Sequence, residues 1–228
     1  MDISVIISAH RNRGYLDQCI QSVLAQSFNR QYQVVLSSDG NSELESYAVK
    51  YGIDFVLSEK GNHSTALNHA VSMAGGEWIK EVHDDDLLTP NSLQSLWDAR
   101  GGDIVYGNAK HLRDGRVPYI YKSARVVSLN SFLPVMTNPI HGSTIMFKRD
   151  VFIAVGGFDP ALEYAEEYEF YFNLLSHGYK FKYCNNTVAV YRIHGQRQSI
   201  SFTLSIQKQV KNYIEKKYEG YLHEGITH

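Results

Sequence analysis

The apolar and polar positions divide the first half of the chain into alternating strand-like and helix-like segments. Ile3 to Ser8 is a short apolar run of the kind that forms a buried strand, and Tyr15 to Ala25 follows with Leu16, Cys19, Ile20, Val23 and Leu24 at helical spacing. Tyr32 to Leu36 predicts a second strand, ended by the turn formers Ser37-Ser38-Asp39-Gly40-Asn41-Ser42, before a helical pattern from Glu43 to Tyr51. Asp54 to Leu57 predicts a third strand. His63 to Ala74 places Ala66, Leu67, Ala70, Val71 and Ala74 on one helical face, and Gly75-Gly76 is expected to stop that helix in left-handed geometry. Trp78 to Val82 predicts the fourth strand. Repeated β-α alternation implies a mainly parallel sheet covered by helices, whose loops at the strand C-terminal ends gather into one ligand cleft.

The rhythm then changes. Thr89-Pro90 supplies an N-cap residue and a first-turn proline for a helix to about Ala99. Asp103 to Ala109 and Arg116 to Tyr121 read as strands joined around Asp114-Gly115, a hairpin signal that brings antiparallel pieces into the sheet. Ser143 to Phe147 predicts a strand, Glu167 to Ser176 an amphipathic helix and Lys180 to Tyr191 extended chain. A final helix is expected over Ser205 to Tyr218, with Lys208, Lys211, Lys216 and Lys217 along it; they read as a solvated face rather than an anchor to an anionic surface.

Composition narrows the function classes. At 228 residues, with 43% hydrophobic and 20% charged side chains, the chain has the make-up of a globular protein, not a disordered or collagen-like one. Its 22 basic and 24 acidic residues give a formal charge of −2, so no global field attracts nucleic acid or an anionic membrane, and an anionic ligand must be held locally. Cys19 and Cys184 lie in no CxxC pair, which leaves the cytoplasm as the expected compartment. The N-terminal residues lack the basic and long apolar regions of a signal peptide, and no apolar stretch approaches the ~20 residues of a membrane span. Any membrane contact is expected to be peripheral, at the inner face.

Three clusters carry candidate chemistry. His83-Asp84-Asp85-Asp86 falls where the fourth strand ends; adjacent carboxylates repel one another, and a hard divalent cation such as Mg2+ or Mn2+ with nucleotide phosphates would relieve them. The alternative is a solvated turn complementing the next helix dipole. Asp39 takes the equivalent place after the second strand, either accepting the ring N–H of a base such as uracil or closing an Asx-turn. Glu166 and Glu167, after Gly156-Gly157-Phe158-Asp159-Pro160, stand near a helix start, where either would serve as a general base or simply cap the helix.

Taken in order, Ile3-Ser4-Val5-Ile6-Ile7-Ser8-Ala9-His10-Arg11-Asn12, the Ser-Val-Leu-Ala-Gln-Ser-Phe run at 22–28, the Asp39 turn, Asp84 to Asp86, and Gly-Gly-Phe-Asp before a Glu-Glu pair resemble the inverting family 2 glycosyltransferases of GT-A fold. The resemblance implies an α/β fold with a Rossmann-like mixed sheet covered by helices and a nucleotide site at the C-terminal edge of the parallel strands. It divides the chain into a GT-A domain at 1–200, with a nucleotide-binding half at 1–100 and an acceptor-binding half at 101–200, and a C-terminal helical extension at 201–228.

By the same resemblance, a sugar nucleotide, UDP-linked rather than GDP- or dTDP-linked, gives its sugar to a glycan, lipid-linked or protein acceptor with inversion, helped by Mn2+ or Mg2+. Asp39 matches the acid on the nucleobase, Ser8 and His10 lie around the base, and Asp84 falls near the ribose. Asp85 and Asp86 match metal ligands; aligned by the following proline the family's Asp-x-Asp starts at His83, while Asp84-Asp85-Asp86 itself also reads Asp-x-Asp, so either pair is left to hold the metal. Glu167 matches the base, usually Asp, and Glu166 the acid before it. Tyr191-Arg192-Ile193-His194 resembles a Tyr-Arg-x-His stretch, giving His194 to the metal or diphosphate and Arg192 or Arg197 to phosphate charge. Lys60 and His63 fall near a basic phosphate contact, and His141 on the acceptor side. Ser38 stands where the family often has an acid. Two other readings compete: a nucleotidyltransferase, which would usually carry a basic Gly-rich loop where Gly14 stands alone, and a non-catalytic nucleotide- or glycan-binding module of the same fold.

Overall fold

The computed structural model describes residues 1–11, 14–59, 62–125, 127–128, 139–195 and 203–224. Lys60 and Arg197 lie outside them, as do Asn12 and residues 196–202. The first strand, β1 (Ile3–Ala9), is followed by α1 (Leu16–Leu24), β2 (Tyr32–Asp39), a single 3-10 turn at Ser42–Leu44, α2 (Glu45–Tyr51), β3 (Asp54–Ser58), α3 (His63–Met73) and β4 (Trp78–His83). Then come β5 (Leu87–Leu88), α4 (Ser92–Asp98), β6 (Ile104–Arg113), β7 (Arg116–Tyr121), a 3-10 turn at Gly142–Thr144 and β8 (Ile145–Lys148). The remainder is α5 (Arg149–Ala154), α6 (Glu166–Ser176), β9 (Phe181–Arg192), α7 (Leu204–Lys217) and α8 (Glu219–Glu224).

The described strands form one mixed sheet in the order β3-β2-β1-β4-β8-β6-β9-β5, with β7 paired to β6. The parallel half is β3, β2, β1 and β4; β8 runs antiparallel to both β4 and β6. Side-chain alternation splits the core between the two faces. Ile3, Val5 and Ile7 pack with Leu16, Ile20, Val23, Leu93 and Leu96. Ile6 and Val35 pack on the other face with Leu67 and Val71 of α3 and the rings of Phe147, Phe152 and Phe170. Helix α7 adds Val210 and Ile214 to that second core.

Several expectations are corrected. Strand β2 runs on through Ser37, Ser38 and Asp39 because β3 pairs alongside them, Ser37 against Val56 and Asp39 against Ser58. Neither Gly75 nor Gly76 is left-handed: Ala74 already turns extended at the end of α3, and Gly76 is needed because a Cβ there would overlap the backbone of Ser4, whose Oγ accepts the Gly76 N–H at 2.9 Å. The helix expected from Thr89-Pro90 begins at Ser92 with Asn91 as its N-cap, since Thr89 is tied to β9 through Oγ1 to Thr187 O at 2.8 Å. The strand expected from Ser143 starts at Ile145, after the 3-10 turn. The Asp114-Gly115 hairpin is present with φ of 50° and 73°, the left-handed pair that a tight two-residue turn requires.

The lysines of α7 do not all face solvent. Lys217 bonds Asp159 and the fully buried Glu169 of α6, and Tyr218 OH donates to the same Glu169 carboxylate. Among the described residues no helix is long and apolar enough to cross a membrane.

Candidate active site

The parallel register brings the predicted residues to one edge. Ser8 lies opposite Ser37 on one side and His83 on the other, so the ends of β1, β2 and β4 are level. His10 Nδ1 stands 3.2 Å from Asp39 O and 3.6 Å from Asp39 Oδ2, which closes the far end of the row. Ser37 and Ser38 are fully buried and bond backbone carbonyls, Ala66 O at 3.0 Å and Asn41 O at 2.9 Å. Their small size leaves Asp39 to present the only carboxylate of this segment.

The acid run after β4 separates into different environments. Asp84 is fixed through its backbone N–H to Ser8 O at 3.1 Å. Asp85 Oδ2 meets His194 Nε2 at 2.9 Å, and the His194 ring rests against Tyr15, centroids 4.8 Å apart. Asp86 is fully buried, accepting Ser143 Oγ–H and, at 3.0 Å, the Arg192 backbone N–H. Burial pushes its carboxyl up to about 7, with the nearby His83 opposing and Asp85 adding to the rise. Arg192 donates from Nε to Asp85 O at 3.0 Å and from its terminal nitrogen to Gln18 at 2.7 Å, with its guanidinium 4.5 Å over the Tyr15 ring. A cleft of about 320 Å³ opens beside these groups, lined by Tyr15, Leu112, Asp114, Arg192 and His194.

A divalent cation fits this donor set. Asp85 and His194 are hydrogen-bonded at 2.9 Å, and one donor atom each from His83, Asp85 and Asp86 lie within 4.8 Å of one another, so carboxylate oxygens and an imidazole nitrogen are at hand to hold an ion. Asp86, its carboxylate already engaged on both oxygens, backs this pair from the protein interior.

The acids at the start of α6 meet the same edge through the histidines of α3 and β4. Gly156 and Gly157 adopt φ of 85° and 74°, and Asn68 of α3 clamps Phe158 through both backbone groups, N at 2.9 Å and O at 2.8 Å. Ala165, with φ 61°, then turns the chain directly into the helix, a left-handed conformation costly for a residue with a Cβ. Each acid meets a histidine: Glu166 Oε1 lies 2.8 Å from His63 Nδ1, and Glu167 Oε1 lies 2.9 Å from His83 Nε2. Burial alone would raise Glu166, but the His63 hydrogen bond and charge bring it below its usual range. Burial raises Glu167 above its usual range despite His83. For His83, burial disfavours the cation, yet Glu167 and Glu81 outweigh it and hold the imidazole well above its ordinary value. Gly142 makes room for Glu167: a Cβ there would overlap its carboxylate.

The structure thus gathers Ser8, His10, Asp39, His63, Asp84, Asp85, Asp86, Glu166, Glu167, Arg192 and His194 along one sheet edge. His141 packs against the Tyr191 ring instead, centroids 4.3 Å apart, and burial lowers it to about 3, so it is neutral. Sequence reasoning missed Lys80, Glu81 and Ser143. Lys80 is fully buried, donates to the carbonyls of Glu81 and Ser143, and is lowered by burial to about 7. The signal was present: Lys80-Glu81 interrupts Trp78 to Val82, a run that in a doubly covered parallel sheet should be continuously apolar.

Comparison with known proteins gives the family and the fold. The sequence profile described as "Glycosyl transferase family 2" matches residues 4–156. An uncharacterized glycosyltransferase of Rickettsia conorii is 28% identical over 75% of this chain, which spans 31% of that protein. Hyaluronan synthase of Pasteurella multocida is 25% identical over 99% of this chain and 24% of its own length, and the O-antigen biosynthesis glycosyltransferase WbnJ of Escherichia coli 22% over 94% and 90%. Among solved structures, Staphylococcus aureus TarS 1-349 in complex with UDP-GlcNAc superposes with a TM-score of 0.71 at 18% identity, covering 90% of this chain and 62% of that one. The fold is that of the GT-A glycosyltransferases, as expected from the sequence. With more than half of its length matched by the family profile, the chain belongs to glycosyl transferase family 2.

Proposed function

We propose that the protein transfers a sugar from a UDP-linked donor to a hydroxyl of a glycan, lipid-linked or protein acceptor, with inversion and with the help of Mn2+ or Mg2+. The observation that carries this reading is the order of groups along the sheet edge: His10 and Asp39 at one end, Asp85 with His194 in the middle, and Glu167 facing them from α6. UDP is favoured because TarS, which shares the fold, was solved with UDP-GlcNAc and with UDP.

Asp39 accepts the base N–H, with His10 beside it, while Ser8 and Asp84 bound the ribose. Asp85 and His194 hold the dication, which when bound offsets the negative charge of the departing diphosphate. Arg192 fixes the backbone carbonyl of Asp85 and the carboxylate of Asp86 and presents its guanidinium at the cleft wall. Glu167 accepts the acceptor hydroxyl proton as the oxygen attacks the anomeric carbon; its raised carboxyl brings the proton affinity closer to that task. Glu166 orients His63 rather than meeting the acceptor.

The test is nucleotide release from a panel of UDP-, GDP- and dTDP-sugars with Mn2+. The reading expects turnover with one or more UDP-sugars and its loss in Glu167→Gln. Turnover confined to GDP- or dTDP-sugars rejects the UDP assignment, and release unaffected by Glu167→Gln rejects the base.

A further inference from the structure

His83 Nε2 faces two carboxylates at once, Glu167 Oε1 at 2.9 Å and Glu81 Oε1 at 3.4 Å. A ring nitrogen carries at most one proton, and neither contact has hydrogen-bond geometry. Glu81 is 2% exposed, and both of its carboxylate oxygens are buried with no hydrogen-bond partner among the described residues. Protonated His83 offsets its charge from 3.4 Å, but both oxygens stay without a hydrogen bond, and a metal ion would engage them directly.

His63 completes the group. Its ring stands edge-on to that of His83 with centroids 5.7 Å apart, and Glu166 holds its Nδ1 at 2.8 Å. A carboxylate on one ring nitrogen is how proteins orient a metal-binding histidine, with the other nitrogen left for the ion. One donor atom each from His63, Glu81 and His83 lie within 4.8 Å of one another. Two imidazoles and one carboxylate suit a borderline transition dication, whereas Mg2+ prefers oxygen alone.

We propose that His63, Glu81 and His83 form a second cation site for one Zn2+-class ion, separate from the Asp85–His194 pair, with Glu166 supporting His63 from outside. An ion there replaces the proton that makes His83 cationic. The site does not depend on the transferase reading, because its donors are fixed by β4, α3 and the start of α6 whatever the reaction.

The experiment is Zn2+ calorimetry on the metal-stripped full chain carrying Asp85→Ala, which removes the other donor pair. The expected result is one Zn2+ per chain, with affinity falling at least ~10-fold on adding either Glu81→Gln or His63→Ala. Co2+ in place of Zn2+ should give visible absorption bands that vanish in the same variants. Circular dichroism checks that each variant is folded; where Glu81→Gln is not, the half-buried His63→Ala decides. No Zn2+ binding by the folded Asp85→Ala chain, or unchanged affinity in a folded Glu81→Gln or His63→Ala variant, overturns the site.

Discussion

His83 and Glu167 form an ion pair of 2.9 Å between the end of β4 and the first turn of α6, so the base candidate is held by an imidazole. The pairing sets the sign of a pH effect. A base works deprotonated, so the rate climbs with pH through its titration, and the His83 cation holds that titration down. His83→Asn removes the cation and should move the acid limb of the pH–rate profile to higher pH. A profile with an unmoved acid limb means that Glu167 is not the titrating base.

Glu167→Gln keeps the shape of the side chain but cannot accept the proton. Transfer should fall ~10²–10⁴-fold, the usual worth of a general base, while UDP-sugar affinity stays within a few-fold of wild type. Stopped turnover with retained binding is the signature to look for; lost binding with retained chemistry contradicts the role.

Gly142→Ala tests the same group by position. The added Cβ would overlap the Glu167 carboxylate, and because that is the tip of a flexible side chain the fold should survive while the base is displaced. A displacement of this kind costs on the order of 100-fold in kcat with little change in melting temperature. A wild-type rate would show that Glu167 has no fixed position to lose.

How far the chain could be read without coordinates follows from which signals are local. Ile3 to Ile7 and Tyr32 to Leu36 announce buried strands by composition alone, and Asp39 and Asp84 to Asp86 by falling where such strands end. Pairing partners are not local. Nothing in the order of residues puts His63 against Glu166, 103 positions later, or His194 against Asp85, 109 positions earlier. Gly76 reads as a helix stop, yet it serves a close approach to Ser4 across the sheet. Lys80 and Glu81 were visible as charges in an apolar run, but their meaning needs the Ser143 turn and His83 beside them.

Besides packing Val210 and Ile214 into the core, helix α7 pairs with a buried acid of α6. Lys217→Met would leave the fully buried Glu169 with only the Tyr218 hydroxyl, at a cost of about 1–3 kcal/mol for the lost partner, moderated by the partial exposure of Lys217. Urea unfolding should show a lower midpoint at unchanged slope. A midpoint equal to wild type would mean that the α7 contact does not contribute to the stability of the domain.

In the proposed reaction Asp85 and His194 serve the nucleotide through a dication. Calorimetry of UDP with and without Mn2+, in wild type and Asp85→Ala, measures this directly. At a free UDP concentration of about 100 times its dissociation constant, the same binding should also add ~2.7 kcal/mol of stability. The predicted result is UDP binding that needs Mn2+ in wild type and is weakened in Asp85→Ala; equal affinity with and without the metal, or in the two proteins, would contradict it.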